Sequence, residues 1–397
     1  MAGPLEGIRV LDFTIAQQGP YATLLLAEMG AEVIKVEEPG RGDLARNLAR
    51  DRRTKFSYYF LAVNRSKKGI AVNLKHPKGR QLILDLARHS DVVVENFRPG
   101  VMEKLGLGYE DFREVNPRII YARATAFGTR GPWGHRRGND ITVQASSGIM
   151  SVTGLEGDPP LPVGVAIADH TGGLTLAVGI LAALMARERT GVGQKVETSL
   201  LGSMVAAQSP ELTYRLATGQ KLGKAGLGHT LLPHLWRVYR TADGYMAIGG
   251  VPPERWRDFC QAIGWPELAD DPRFREVGER LRRISELNSL LDEYFSRLPA
   301  QEWVARLEQA DLPVARVYDY EALIQEPQLY ENDYLVRFPH RRLGETILVN
   351  CPIHFSETPA AIKGPEPELG EHTEEVLSRL LGLSDEEIEL LHQEGVI

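Results

Sequence analysis

Cysteine is scarce in this chain: the two in 397 residues, Cys260 and Cys351, lie far apart. They supply neither a disulfide framework nor a metal-ligand spacing, so the expected compartment is a reducing cytoplasm. The ten histidines do not fall at zinc-like intervals either, and no metal is expected. The N-terminus, MAGPLEGIRV, lacks the apolar run of a signal peptide. The longest apolar stretch, Leu174 to Ala186, is too short to span a bilayer and reads as a buried core helix, so no membrane partner is expected. A basic surplus is missing as well. The net charge of -7 argues against a general nucleic-acid binder, which needs clustered cations. Nor is there a P-loop, an HExxH or a GxSxG, and no internal repeat or low-complexity segment occurs. The first strand-to-helix turn reads Gln17-Gln18-Gly19-Pro20 rather than GxGxxG, which leaves a dinucleotide site unsupported.

The charge that is present is unevenly placed. Residues 1–137 hold 23 Lys and Arg against 15 Asp and Glu, and the rest holds 23 against 38. A basic portion on an acidic protein points to a localised anionic ligand, such as a phosphate; segregated surface charge gives the same count. Within that portion the hydrophobic period alternates. Residues 8–13 read as a buried strand, 21–29 as a helix stopped at Gly30, and 31–36 as a second strand. Strand 69–74, helix 77–88 and strands 91–95 and 118–124 continue the pattern. Such βαβ order predicts a doubly wound, Rossmann-like parallel sheet in an α/β fold.

From about residue 225 the texture changes to a smaller α+β unit. Residues 235–241 and 245–249 form a predicted hairpin, with Asp243-Gly244 suited to a type I′ turn. Amphipathic helices are predicted at 254–263, 280–297 and 300–310, then a β stretch at 346–350 and a proline-bearing loop through Pro367. Ser384 and Glu387 form a capping box for the last helix. The predicted organisation is a large domain over 1–224, a small domain over 225–330, and a return to the large domain over 331–397.

In open α/β sheets, ligands bind at the carboxyl ends of strands. Three such edges stand out: Gln17-Gln18-Gly19, the run from Glu95 to Gly100, and the run from Val165 to Gly173. In the third, an apolar run ends at Asp169 and leads into a helix. Asp169 has two readings, a helix N-cap or a nucleophilic carboxylate for acyl transfer. Arg41, Arg46, Arg50, Arg52, Arg53, Arg65, Lys67, Lys68, Lys75, Lys104, Arg136 and Arg137 are the cations available to phosphates.

GIRVLDFTIAQQGPYATLLLAEMGAEVIKVEEPGRGD resembles the N-terminal signature of the class III CoA-transferases. VNRSKKGIAVNLKHPKG, DVVVENFRPGVMEKLGLGYED, NPRIIYARATAFGTRGPW, PPLPVGVAIADHTGG, TGVGQKVETSL and the final LGEHTEEVLSRLLGLSDEEIELLHQEGVI resemble the same family. The resemblance implies an enzyme that moves CoA from an acyl-CoA donor to a free carboxylic acid, with acyl-CoA as substrate. It implies that Asp169 is the nucleophile, passing through an aspartyl-acyl anhydride and an aspartyl-CoA thioester, and that Gln17 lies beside the thioester. Leu74, Lys75, Asn96, Phe97, Lys104 and Leu105 match CoA-contacting positions. Arg137 matches a basic residue near the CoA phosphates, and Asp140 an acidic residue lining the substrate site. It also implies an interlocked homodimer, with the connections near 200–230 and 325–345 wrapping the partner.

Two departures narrow this reading. Relatives acting on oxalate carry a longer glycine-rich loop, where this chain has only Gly249-Gly250. Racemases of the same fold carry Gly-His-Asp, whose His moves the α-proton; here Gly138-Asn139-Asp140 offers no such base. An acyl-CoA racemase or epimerase and a non-catalytic CoA-binding module remain the alternatives.

Overall fold

The computed structural model describes residues 2–397. Its strands and helices run β1 (Arg9–Asp12), α1 (Gln18–Glu28), β2 (Glu32–Glu37), α2 (Tyr58–Asn64), β3 (Lys68–Ala71) and α3 (Pro77–Arg88). They continue with β4 (Val92–Glu95), α4 (Val101–Lys104), α5 (Tyr109–Val115), β5 (Ile120–Thr125), α6 (Asp140–Ser147), α7 (Ile149–Val152), α8 (Ile167–Thr190) and β6 (Lys195–Ser199). The six strands form one sheet in the order β3-β2-β1-β4-β5-β6, parallel at every pairing. Chain direction across the sheet reverses at β1 and β4, so a crevice opens there at the strand ends.

Alternation in the strands explains why the sheet is wound on both sides. Val10, Val92 and Val94 enter one core with Leu25 and Leu26 of α1 and Leu176 and Ile180 of α8. Leu11 and Val93 point the other way and meet Ile83 and Leu86 of α3, Phe112 of α5, and Val376 and Leu377 near the C-terminus. Successive strand side chains face opposite sides, and with both faces covered the strands read as continuous apolar runs. β6 escaped the sequence reading because Lys-Val-Glu-Thr-Ser has no such run; it lies at the sheet edge and stays partly exposed.

Helix α8 is longer than the apolar stretch 174–186 implied. Its 24 residues are long and apolar enough, by length and composition, to cross a membrane, which corrects the sequence estimate. Its inward face, including Leu176, Ile180, Ala183 and Leu184, is buried in the core.

Two compact units result: Met1–Ser147 with Gly164–Ala207 and Pro327–Ile397, and Gly148–Val163 with Gln208–Glu326. The boundary thus falls at 208 rather than 225. The segment 148–163 belongs to the small unit because Ala225 N–H donates to Val152 O at 2.8 Å and Gly226 N–H to Gly154 O at 3.0 Å. The expected long connection at 200–230 is mostly helical, with α9 (Leu200–Ala207) and α10 (Ser209–Thr218). In the small unit β7 (Trp236–Arg240) and β8 (Tyr245–Gly249) pair antiparallel, with β9 (Val314–Arg316) beside β8. The turn is not type I′: Asp243 is not in the left-handed region, because its Oδ1 accepts the Ala300 N–H at 2.7 Å. The single helix predicted at 280–297 breaks at Arg283, giving Val277–Arg282 and Ile284–Phe295. Arg280 is buried and donates to the carbonyls of Phe274 and Arg275, which ties down the first piece. In the large unit the region 325–345 carries β10 (Leu335–His340), paired with β11 (Gly344–Val349). The Ser384–Glu387 capping box is present.

Candidate active site

Helix α8 begins at a residue that cannot cap it. Ala166 holds the N-cap position and has no side-chain acceptor, leaving the first N–H groups without partners. Asp140, at the start of α6, supplies what is missing. Its Oδ1 accepts the N–H of Ala168 at 2.7 Å and of Asp169 at 3.1 Å, while Gln144 Nε2 donates to Oδ2 at 2.5 Å. The N-cap reading of Asp169 is therefore excluded, and its carboxylate is spared for other work. Among the described residues no hydrogen bond reaches that carboxylate. Burial, then the neighbouring Asp140 charge, pushes Asp169 up to about 7. A carboxylate raised in this way is more basic than an ordinary aspartate, and raised carboxylates mark reactive sites.

Gln17 stands next to it, through His170. Tyr59, on α2, donates from its hydroxyl to Gln17 Oε1. Gln17 Nε2 then lies 3.0 Å from His170 Nδ1, which is also 3.0 Å from the Ala166 carbonyl oxygen. Burial and the charges of Asp169, Asp140 and Asp43 raise the Tyr59 hydroxyl to about 12, so it remains a donor at neutral pH. Tyr21 meets the His170 ring edge-on at 4.6 Å. Gln17, Tyr59 and His170 share the lining of a cavity of about 510 Å³ whose other walls include Leu24, Leu25 and Leu348. Neither Tyr59 nor His170 was singled out as a site residue from sequence. Tyr58-Tyr59 carries no local motif, and a residue next to Asp169 is expected to point elsewhere.

A second cavity, of about 300 Å³, opens at the ends of β1, β2 and β3. Leu74, Lys75, Phe97 and Leu105 line it, together with Ile15 and Arg41. Lys75 and Arg41 share Glu38, at 2.8 and 3.8 Å, and their side chains are 76 % and 83 % exposed. They are cations free to turn toward a phosphate. Many of the other N-terminal cations are committed: Lys35 pairs with Asp43, Lys67 with Asp12, Arg46 with Glu37 and Arg65 with Glu28. Asn96 does not line the cavity. Its side chain clamps Ile15, accepting the N–H and donating to the carbonyl, both at 2.8 Å. Lys104 is exposed on α4, and Arg137 is exposed just before α6, outside the cavity lining. An ion cluster, buried at Arg123 and Glu95, backs the cavity wall. Arg123 pairs with both Glu95 and Glu103, and Glu95 Oε2 accepts the Phe97 N–H at 2.8 Å.

Known proteins match this chain over nearly its full length. Residues 5–373 match the family described as CoA-transferase family III. The chain is 36% identical to succinyl-CoA:glutarate CoA-transferase of Mus musculus, covering 99% of this chain and 90% of that one. It is 37% identical to formyl-CoA:oxalate CoA-transferase of Streptomyces coelicolor, covering all of both chains. The solved structure of a CAIB/BAIF family protein from Brucella suis superposes with a TM-score of 0.85 at 30% identity, over 96% of this chain and 100% of that one. The two sequence relatives are transferases by name, and the racemase alternative is not favoured. The chain belongs to CoA-transferase family III and is a CoA-transferase that works on acyl-CoA and carboxylic acids.

Proposed function

We propose that Asp169 carries the CoA group covalently between the two acids. Its carboxylate attacks the acyl carbonyl of the donor, the C–S bond breaks, and an aspartyl-acyl anhydride forms with CoA thiolate released. The thiolate attacks the aspartyl carbonyl, expelling the first acid as its carboxylate and leaving an aspartyl-CoA thioester. The incoming carboxylate then attacks that thioester and frees the thiolate again. Thiolate attack on the new acyl carbonyl releases the new acyl-CoA and restores Asp169. No proton is gained or lost, and splitting the transfer in this way is the logic of nucleophilic catalysis.

One observation carries the reading: a raised carboxylate without hydrogen bonds at Asp169, whose chain neighbour His170 meets a Gln17 amide also held by Tyr59. An amide N–H aimed where oxyanion charge develops lowers the barrier. The cavity lined by Leu74, Lys75, Phe97 and Leu105 is our CoA site, with Lys75 and Arg41 toward its phosphates. The apolar cavity beyond Gln17 is our space for the acyl chain. The acceptor is a carboxylic acid of the kind named in the two relatives.

We read the enzyme as a cytoplasmic homodimer with no nucleic-acid or membrane partner. Support for the dimer comes from α8, whose outward face shows Leu174, Val178 and Met185, the last two each 65% exposed. A second copy of the chain is the occupant such a face calls for. The cytoplasm is supported by two free, buried thiols.

Incubation with acyl-CoA, followed by mass analysis of the Asp169 peptide, tests the mechanism. A CoA or acyl adduct on Asp169 is expected, and Asp169→Asn should lose at least about 10³-fold in kcat. Full transfer by Asp169→Asn overturns the mechanism. Exchange of the substrate α-proton with deuterated solvent, without transfer, points to the racemase.

A further inference from the structure

The loop that carries Gln17 is unfavourable on its own. Ala16 has φ 65°, a left-handed backbone that alanine seldom adopts. Gln17 is the N-cap of α1 yet makes no side-chain capping bond there. Such a conformation persists only where its surroundings over-determine it.

Three side chains do that. Asn96 holds Ile15 from both sides, as described above. Asp43 Oδ1 accepts the Ala16 N–H at 3.0 Å and the Ala45 N–H at 2.9 Å. Lys35 Nζ donates to Thr14 O at 2.7 Å and lies 2.8 Å from Asp43 Oδ2, both side chains 0% exposed. The pair therefore grips the loop at Thr14 and Ala16, on either side of the residue Asn96 clamps. The Lys67–Asp12 pair lies beneath, with Asp12 Oδ1 accepting the Thr14 N–H at 2.9 Å.

We propose that the buried Lys35–Asp43 pair is a positioning device for Gln17, acting through the Thr14–Ala16 backbone and touching no reacting atom. This rests on the CoA-transfer reading above. A buried ion pair gains little net stability, because desolvation offsets its attraction. Here its hydrogen bonds go to loop backbone, which fixes the direction of the next side chain. Lys35 is thereby unavailable to a CoA phosphate, although it stands at the cavity wall.

The test compares Asp43→Ala, Lys35→Met/Asp43→Asn and Lys35→Met/Asp43→Leu with the wild-type chain. Asparagine keeps the acceptor for Ala16 and Ala45, and methionine removes the charge that would be stranded. Asp43→Ala and the Met/Leu pair should lose about tenfold to a hundredfold in kcat, with the acyl-CoA KM changed less than about threefold. The Met/Asn pair keeps the hold on Ala16 but gives up the Lys35 bond to Thr14, so its kcat should recover part of the way, to between the Met/Leu value and wild type. Amide hydrogen exchange at Ala16 should quicken in Asp43→Ala and in the Met/Leu pair and slow again in the Met/Asn pair, whatever the turnover. Wild-type kcat in the Met/Leu pair, a loss confined to KM, or unchanged exchange at Ala16 overturns the proposal. If Asp43→Ala fails to fold, the two double variants decide, since neither strands a charge. A wild-type chain that transfers no CoA but shows the expected exchange pattern sinks the CoA-transfer reading and leaves the positioning role standing.

Discussion

In the proposed mechanism Asp169 attacks only when ionised, and burial together with Asp140 holds it up to about 7. The sign of the pH dependence follows. As pH falls through about 7 the carboxylate takes a proton and kcat/KM declines; above it the activity reaches a plateau. Asp140→Asn keeps an oxygen for the Ala168 and Asp169 N–H groups but removes the neighbouring negative charge. The acid limb of the pH–rate profile should therefore move down, by about half to one pH unit. It should not return to an ordinary aspartate value, because desolvation is the larger cause. A profile of kcat/KM against pH for both proteins checks this, and an unmoved limb removes Asp140 from the account. Asp140 thus does two jobs: it caps the start of α8 and adds to the basicity of Asp169.

Helices α1 and α8 bring Gln17 and Asp169 together, and two glycines allow it. A Cβ added at Gly173 would lie 2.7 Å from Gln18 O and 2.9 Å from a Tyr21 ring carbon. At Gly172 it would lie 2.8 Å from Gln18 Nε2. At Gly173 the clash is with backbone, so the helices would have to part; at Gly172 it is with the end of the Gln18 side chain, which can turn away. Gly173→Ala should cost about 1–3 kcal/mol of stability through overpacking. It should also lower kcat, because the end of α1 beside the clash carries Gln17. Urea unfolding and steady-state kinetics on the same preparation check both. Unchanged kcat in a destabilised variant shows that the close approach serves packing alone. The Gly-Gly pair was visible in the sequence as part of ADHTGG, but the neighbour it makes room for was not.

At the scale of the molecule, the outward face of α8 is the feature the single chain does not use. Leu174, Val178 and Met185 fall at helical spacing on the side away from the sheet, where Leu176, Ile180 and Leu184 are buried. Placing charge there, as Val178→Glu with Met185→Glu, should weaken self-association at least tenfold, roughly the 1.4 kcal/mol that sets a decade. Sedimentation velocity over a range of concentrations is the measurement. A wild-type chain that sediments as a monomer throughout excludes the homodimer. The charge segregation seen in the sequence also resolves at this scale. Many of the N-terminal cations pair internally with acids of the same portion, so the surplus falls to the remaining cations; Lys75 and Arg41 are exposed ones at the cavity rim.

What the sequence determined by itself were the features that depend on near neighbours in the chain. The unbroken apolar runs Val10-Leu11 and Val92-Val93-Val94 are enough to demand two covered faces, hence a doubly wound sheet. Strand ends are readable for the same reason, so Gln17 and Phe97 were found just beyond them; Asp169 instead lies in the first turn of α8, with no strand before it. Tertiary structure decided everything that rests on contacts between distant residues. Asp140 caps a helix 28 residues away, Asn96 clamps a loop 81 residues away, and Tyr59 reaches Gln17 across 42. Nothing local marks these partners, because each contact is chosen by how the elements stack rather than by the preferences of its own segment. The basicity of Asp169 belongs to the same class. The residue was legible in the chain, but the burial and the neighbouring charge that raise it exist only once α6 and α8 have met.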